Sequence, residues 1–158
     1  MKIDKGDLWT YPADWRVITT NGVVKSNGYL VMGAGNALQA TQKFPDLPKI
    51  LGTKVTKGGN HCYIVNFQII SFPTKHHWKD ASDIKLIENS AKELRILIDL
   101  LTVKKASEGI SSLEDIELKI VMPPPGCGLG GLKWEDVKKV IEPYLDDRFT
   151  VLTKGKST

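Results

Sequence analysis

With 158 residues, 41% of them hydrophobic and 25% charged, the chain has the size and mix of one globular domain with a core of its own. No apolar run approaches the roughly 18 residues needed to span a bilayer, and the charged start Met1–Asp7 lacks the apolar stretch of a secretory signal. A formal net charge of +4 suits an anionic ligand but falls short of the clustered basic stripe of a dedicated nucleic-acid binder. Cys62 and Cys127 stand far apart and outside any Cys-x-x-Cys pair, which predicts reduced thiols in a cytoplasmic protein. With no internal repeat or low-complexity segment, residues 1–153 are expected to form one monomeric domain, followed by a flexible basic tail over 154–158.

Trp15–Thr20 reads as a strand that runs into the turn Asn21-Gly22. Gly28–Met32 is a short apolar, strand-like run leading into Gly33-Ala34-Gly35, after which residues 36–44 follow a helical pattern until Pro45 stops it. Residues 62–72 are rich in Ile, Val, Tyr and Phe and read as a strand ended by Pro73. Ile84, Ile87, Ala91, Leu94, Ile98 and Leu101 then recur at helical spacing behind the capping candidates Ser82 and Asp83, which predicts a helix with one face on a sheet. Over 113–122, Ile116, Leu118, Ile120 and Met122 alternate as a strand that Pro123-Pro124-Pro125 ends. A glycine loop, an amphipathic helix over 134–145 and a last strand at 149–152 complete the chain. This order predicts an α/β domain whose mixed, mostly parallel sheet is covered by helices on both faces.

Both glycine-rich segments fall at strand-to-helix junctions, where sheets of this kind bind ligands. Gly126-Cys127-Gly128-Leu129-Gly130-Gly131 directly precedes a helix, so successive N–H groups can form an anion-binding concavity there. On its own the segment fits that cradle and a plain tight turn equally well. The earlier loop departs from the Rossmann fingerprint, because Leu38 replaces the third small residue and no acidic residue ends a second strand about 20 residues on. It stays a candidate nucleotide contact. Gly155-Lys156-Ser157 is discarded as a P-loop, since Thr150 stands where its first glycine belongs.

Phe72-Pro73-Thr74-Lys75-His76-His77-Trp78 places a lysine, two histidines and an indole just after a strand. Lys75 is a candidate nucleophile toward a sugar carbon if partial burial favours its neutral form; a solvated turn is the other reading. Adjacent His76 and His77 cannot readily share one metal ion, and no partner stands at ligand spacing, so neither a metal site nor a cofactor is expected.

Taken together, Gly6-Asp7-Leu8, Met32-Gly33-Ala34-Gly35, and Gly126–Leu132 followed by Trp134 resemble the macro domains. The likeness runs from about Lys5 to Leu152 and is nearest to the branch that holds the terminal ADP-ribose protein glycohydrolase and the antitoxins that remove ADP-ribose from DNA; the block 72–78 is like the antitoxin type. The resemblance implies a three-layer α/β/α macro fold that binds ADP-ribose. It implies that Asp7 accepts a hydrogen bond from the adenine amino group, helped by the backbone at Leu8, and that Asn21 approaches the distal ribose. Gly33, Ala34 and Gly35 would line the distal ribose and phosphate, while Cys127, Gly128, Leu129, Gly130 and Gly131 would wrap the diphosphate through backbone N–H groups. Lys75 matches the lysine that acts at the anomeric carbon, opening the ribose and forming a covalent adduct before water releases the product.

Two positions depart from the pattern. Gly130 stands where the protein glycohydrolase has a catalytic aspartate, which the antitoxin-like members also lack. Leu152 stands where an aromatic often stacks on adenine. The implied function is hydrolysis of an ADP-ribosyl linkage on nucleic acid or protein through Lys75, with the modified macromolecule as partner. Three alternatives stay open: an ADP-ribose 1″-phosphate phosphatase assisted by Asn21 or His76, a non-catalytic ADP-ribose reader, and a nucleotide-binding domain unrelated to ADP-ribose.

Overall fold

The computed structural model describes residues 1–109 and 117–153. Within them one sheet has the order β1-β6-β5-β2-β4-β3. Its strands are β1 (Lys2–Lys5), β2 (Trp15–Thr20), β3 (Tyr63–Val65), β4 (Ile69–Pro73), β5 (Ile120–Met122) and β6 (Phe149–Thr153). All neighbours are parallel except β3, which runs antiparallel to β4. Helices α1 (Gly35–Lys43), α2 (Leu47–Gly58), α3 (Ile84–Ser107) and α4 (Trp134–Ile141) cover it. The expected mixed, mostly parallel sheet in an α/β fold is what forms.

Strand alternation assigns the two faces. Val17 of β2, with Ile70 and Phe72 of β4, packs against Ile87, Leu94 and Ile98 of α3 and Val137 and Ile141 of α4. Their neighbours Ile18 and Ile69 point the other way, onto Ala37 and Ala40 of α1 and Leu47 and Leu51 of α2. Each such large apolar side chain contributes about 1.5–3 kcal/mol on burial, so the sheet is held from both sides. Central β5 shows no alternation: Ile120, Val121 and Met122 are all buried, as expected of a parallel strand covered on both faces.

Helix α3 forms as its sequence predicts. Asp83 is its N-cap, one carboxylate oxygen accepting the Lys85 N–H at 2.9 Å. Ile87, Ala91, Leu94 and Ile98 are buried, with Ile84 and Leu101 half-buried at the margins. The buried Ser90 hydroxyl donates to the Pro73 carbonyl at 2.7 Å and ties the helix to the end of β4.

Three expectations need correction. The run 62–72 is not one strand, because Phe67 and Gln68 adopt positive φ (72° and 58°) and fold it into the β3–β4 hairpin. Such a conformation costs a non-glycine residue about 1–3 kcal/mol and has no Gly or Pro to announce it. Residues 28–32 form no strand of the sheet; Lys25 N–H donates to Tyr29 O and Leu30 N–H to Pro48 O, leaving an isolated Val24–Leu30 bridge packed near α2. Helix α4 ends at Ile141, since Pro143 has no N–H to continue the ladder and the Tyr144 and Leu145 N–H groups turn back to Ile141 O. Pro45 stops α1 but a second helix follows at once, with Pro48 in the first turn of α2, where its missing N–H costs nothing. Leu113 and Ile116 of the expected strand, and the tail 154–158, lie outside the described residues. Among those described, no helix is long and apolar enough to cross a membrane.

Replacing Ser90 by Ala leaves the Pro73 carbonyl buried without its partner. We expect a loss of about 1–3 kcal/mol in urea unfolding.

Candidate functional site

The parallel strands β1, β6, β5, β2 and β4 present their carboxyl ends along one edge of the sheet. From β2 the chain passes to α1 on one face, and from adjacent β5 to α4 on the other. Such a topological switch opens a crevice beyond the strand ends. Residues 33–35 lead into α1 on one wall, and residues 126–131 lead into α4 on the other. The walls approach each other at the exposed Leu129, whose Cδ1 lies 3.9 Å from where a Cβ on Gly35 would stand.

The second wall is held tightly from behind. Gly126 has φ 76°, and a Cβ there would sit 2.7 Å from Ile87 Cδ1 of α3. At Gly130 a Cβ would collide with the Ser82 hydroxyl and lie 2.5 Å from the Gly126 carbonyl oxygen. Position 130, where the resemblance sets the protein glycohydrolase's aspartate, therefore has no room for any side chain here. Ser82 N–H donates to Gly130 O at 3.0 Å, Leu132 N–H to Gly126 O at 3.0 Å and Gly131 N–H to Gly128 O at 3.2 Å. Cys127 N–H points back to Pro124 O at 3.4 Å. The N–H groups of Gly128, Leu129 and Gly130 have no protein partner among the described residues, nor do those of Gly33, Ala34 and Gly35. Free donors in succession on both walls are what an anion requires. Cys127 brings no charge to this wall: partial burial, reinforced by Glu135, pushes its thiol up to about 11.

The remaining residues named from the sequence lie along the same edge. At Asp7, one carboxylate oxygen accepts the Trp9 N–H at 2.8 Å and the other is free among the described residues. The Leu8 carbonyl accepts Arg16 Nε at 2.9 Å, while its N–H carries no bond among the described residues. Leu152 is buried beside Gly6, so the aromatic side chains at this end are Trp9 and Tyr11. Asn21 acts within the protein: its Oδ1 accepts Val23 N–H at 2.9 Å and its Nδ2 donates to Val31 O at 2.9 Å.

Lys75 follows β4, and its backbone is held from several directions. Thr74 N–H donates to Thr20 O at 3.0 Å, Gly22 N–H to His76 O at 3.2 Å and Asn60 Nδ2 to Lys75 O at 3.0 Å. Lys75 is half-buried, and its loop meets the Asn21-Gly22 turn through the Gly22–His76 bond. His76 Nε2 lies 2.8 Å from the second carboxylate oxygen of Asp83, a bond that holds the Asp83 carboxyl below the usual range. Strand order thus sets out Asp7 after β1, the glycine loop after β5, Asn21 after β2 and Lys75 after β4. At about 4.8 Å between neighbouring strands, that row spans roughly 19 Å.

Three positioning roles were not read from the sequence, which offers Ser82 only as a capping candidate. Asn36 locks the start of α1 to β2, accepting Thr19 N–H and donating to Thr19 Oγ1, both at 2.8 Å. Asn60 holds Lys75, and Ser82 backs Gly130 with a buried hydroxyl that has no partner among the described residues. Only Asn36, directly after Gly33-Ala34-Gly35, had a local signal.

A three-layer α/β/α sheet with glycine-rich walls at its switch point places the chain among the α/β domains that hold a ligand in that crevice. The macro domain family model matches residues 28–141, and the chain belongs to that family. Among curated proteins it is 29% identical over 156 residues to the DNA ADP-ribosyl glycohydrolase of Thermus aquaticus, an alignment covering 92% of this chain and 38% of that protein. It therefore spans well under half the length of that relative. Among solved structures, the macrodomain of Mycobacterium tuberculosis DarG superposes with a TM-score of 0.70 at 27% identity, covering 98% of both chains. Thermosipho africanus DarTG in complex with ADP-ribose superposes with a TM-score of 0.63 at 27% identity, covering 93% of this chain and 39% of that one.

Two expected outcomes follow from the second wall. Gly130→Ala should destabilise the fold by about 1–3 kcal/mol through overpacking, whereas Gly128→Ala, with open space around its Cβ, should leave the melting temperature unchanged. Alkylation of Cys127 by iodoacetamide should be slow at neutral pH and rise steeply only as pH approaches 11, followed by mass spectrometry of the 127 peptide.

Proposed function

We propose that the crevice binds ADP-ribose and that Lys75 cleaves an ADP-ribosyl linkage on nucleic acid. The carrying observation is the row along one sheet edge: a free carboxylate oxygen, two walls of free N–H donors, then a half-buried lysine. Its sequence of chemistries matches a nucleobase, a diphosphate and a distal sugar. Asp7 and the Leu8 N–H take the adenine edge. Gly128, Leu129 and Gly130 donate to the diphosphate, with Cys127 and Gly131 shaping that wall, and Gly33, Ala34 and Gly35 close on the phosphate and distal ribose. Asn21 sets the turn against which that ribose lies.

The amine of Lys75 then attacks the anomeric carbon. A C–N bond forms, the bond to the macromolecule breaks, and the leaving group takes up a proton. Water adds to the resulting adduct, releasing ADP-ribose and restoring the lysine. The name of the Thermus aquaticus relative supports a DNA substrate, and the ligand in the Thermosipho structure supports ADP-ribose. Gly130 favours a second reading, a non-catalytic reader, because no acid can be placed at position 130.

The test is a panel of ADP-ribosylated DNA, RNA and protein plus ADP-ribose 1″-phosphate. Lys75→Ala should lower turnover of the nucleic-acid substrate at least about 100-fold. Its ADP-ribose affinity by calorimetry should stay within about threefold, or 0.7 kcal/mol. Tight binding with no turnover of any member by the unmodified chain would establish the reader instead.

A further inference from the structure

The turn beyond Lys75 carries an aromatic surface that the proposed chemistry does not use. Asp80 N–H donates to His77 O and Lys79 N–H to His77 Nδ1, both at 3.1 Å, closing a tight turn with Trp78 and Lys79 at its corners. The His77 and Trp78 rings stack with centroids 5.4 Å apart and planes 29° from parallel, and Lys79 Nζ lies 5.1 Å from the Trp78 ring centroid. Trp78 is 47% exposed, whereas Trp9, Trp15 and Trp134 are each half-buried. The groups recorded against the indole, His77 and Lys79, are polar or charged, unlike the apolar core of a protein interface. Residues 75–79 hold two lysines, two histidines and no carboxylate.

A braced, exposed ring beside cations is suited to a flat partner attached to phosphates. Every nucleobase offers a π face, and single strands are held by such rings together with basic side chains. Two residues separate Trp78 from Lys75, so three Cα–Cα steps place their Cα atoms at most about 11 Å apart.

We infer that Trp78, braced by His77 and Lys79, is the stacking platform for a base flanking the modified nucleotide, with Lys79 reaching the adjoining phosphate. This rests on the reading that Lys75 acts on ADP-ribosylated nucleic acid, and it adds the residue that makes a polynucleotide a better ligand than a lone modified nucleoside. The exposed position means that Trp78→Ala should fold normally.

The test measures binding in a Lys75→Ala background, with Trp78, Trp78→Ala or Trp78→Phe. The probes are a fluorescent ADP-ribosylated single-stranded oligonucleotide, the corresponding ADP-ribosylated nucleoside, an ADP-ribosylated peptide and free ADP-ribose. We expect Trp78→Ala to weaken the oligonucleotide about tenfold and the other three not at all, and Trp78→Phe to recover most of the loss. Equal oligonucleotide affinity with and without Trp78 overturns the inference. So does an equal loss for all four probes, or a loss confined to the peptide. Failure of the underlying reading looks different: the chain with Lys75 intact would then leave the oligonucleotide uncleaved, whatever residue 78 does to its binding.

Discussion

The parallel pairing of β2 with β5 on one side and β4 on the other is the constraint on which the rest of the molecule depends. Parallel neighbours cannot be joined by a tight turn, so the chain must leave each strand end through a crossover. Leaving β2 and β5 on opposite faces opens the crevice, and the same pairing brings their loops to one edge. The last residues of β2 then serve as an anchor rail. Thr19 engages Asn36 at the start of α1, Thr20 receives Thr74, and the Asn21-Gly22 turn engages Val23, Val31 and His76. Slipping this strand by one residue would displace both the wall at 33–35 and the lysine loop.

The site divides into a part made by backbone and a part made by side chains. The glycine walls offer N–H groups and carry no charge of their own, since the Cys127 thiol is neutral at ordinary pH. Shape therefore governs that half: what matters is whether the chain can come close to its neighbours, as at Gly126 against Ile87. At the other end, Lys75 is a single amine on a loop that three elements hold in place. A change in the first half acts by steric fit, and a change in the second alters the one side-chain amine of the row.

What was legible in the sequence follows from how local each cause is. Helix α3 could be read whole because its cap and its apolar period lie within one stretch of chain. Strand β1 could not, because all four of its residues are exposed and only its pairing with β6, at the far end of the chain, makes it a strand. The β3–β4 hairpin was hidden by a reversal at two non-glycine residues. The same division runs through the site. Asp7, Lys75 and both glycine segments stand out as motifs, whereas Asn60 and Ser82 matter only through contacts with residues 15 and 48 positions away. Nor does composition say which N–H groups of a glycine loop are left free once the loop has closed on itself.

The contact between Gly130 and Ser82 has a historical side. A side chain at 130 and a hydroxyl at 82 compete for one volume, so relatives that keep this backbone cannot exchange glycine for aspartate at 130 by a single substitution. Residue 82 and the Gly126 carbonyl must both give way first or at the same time. The glycine at 130 is thus coupled both to the hydroxyl at 82 and to the backbone at 126.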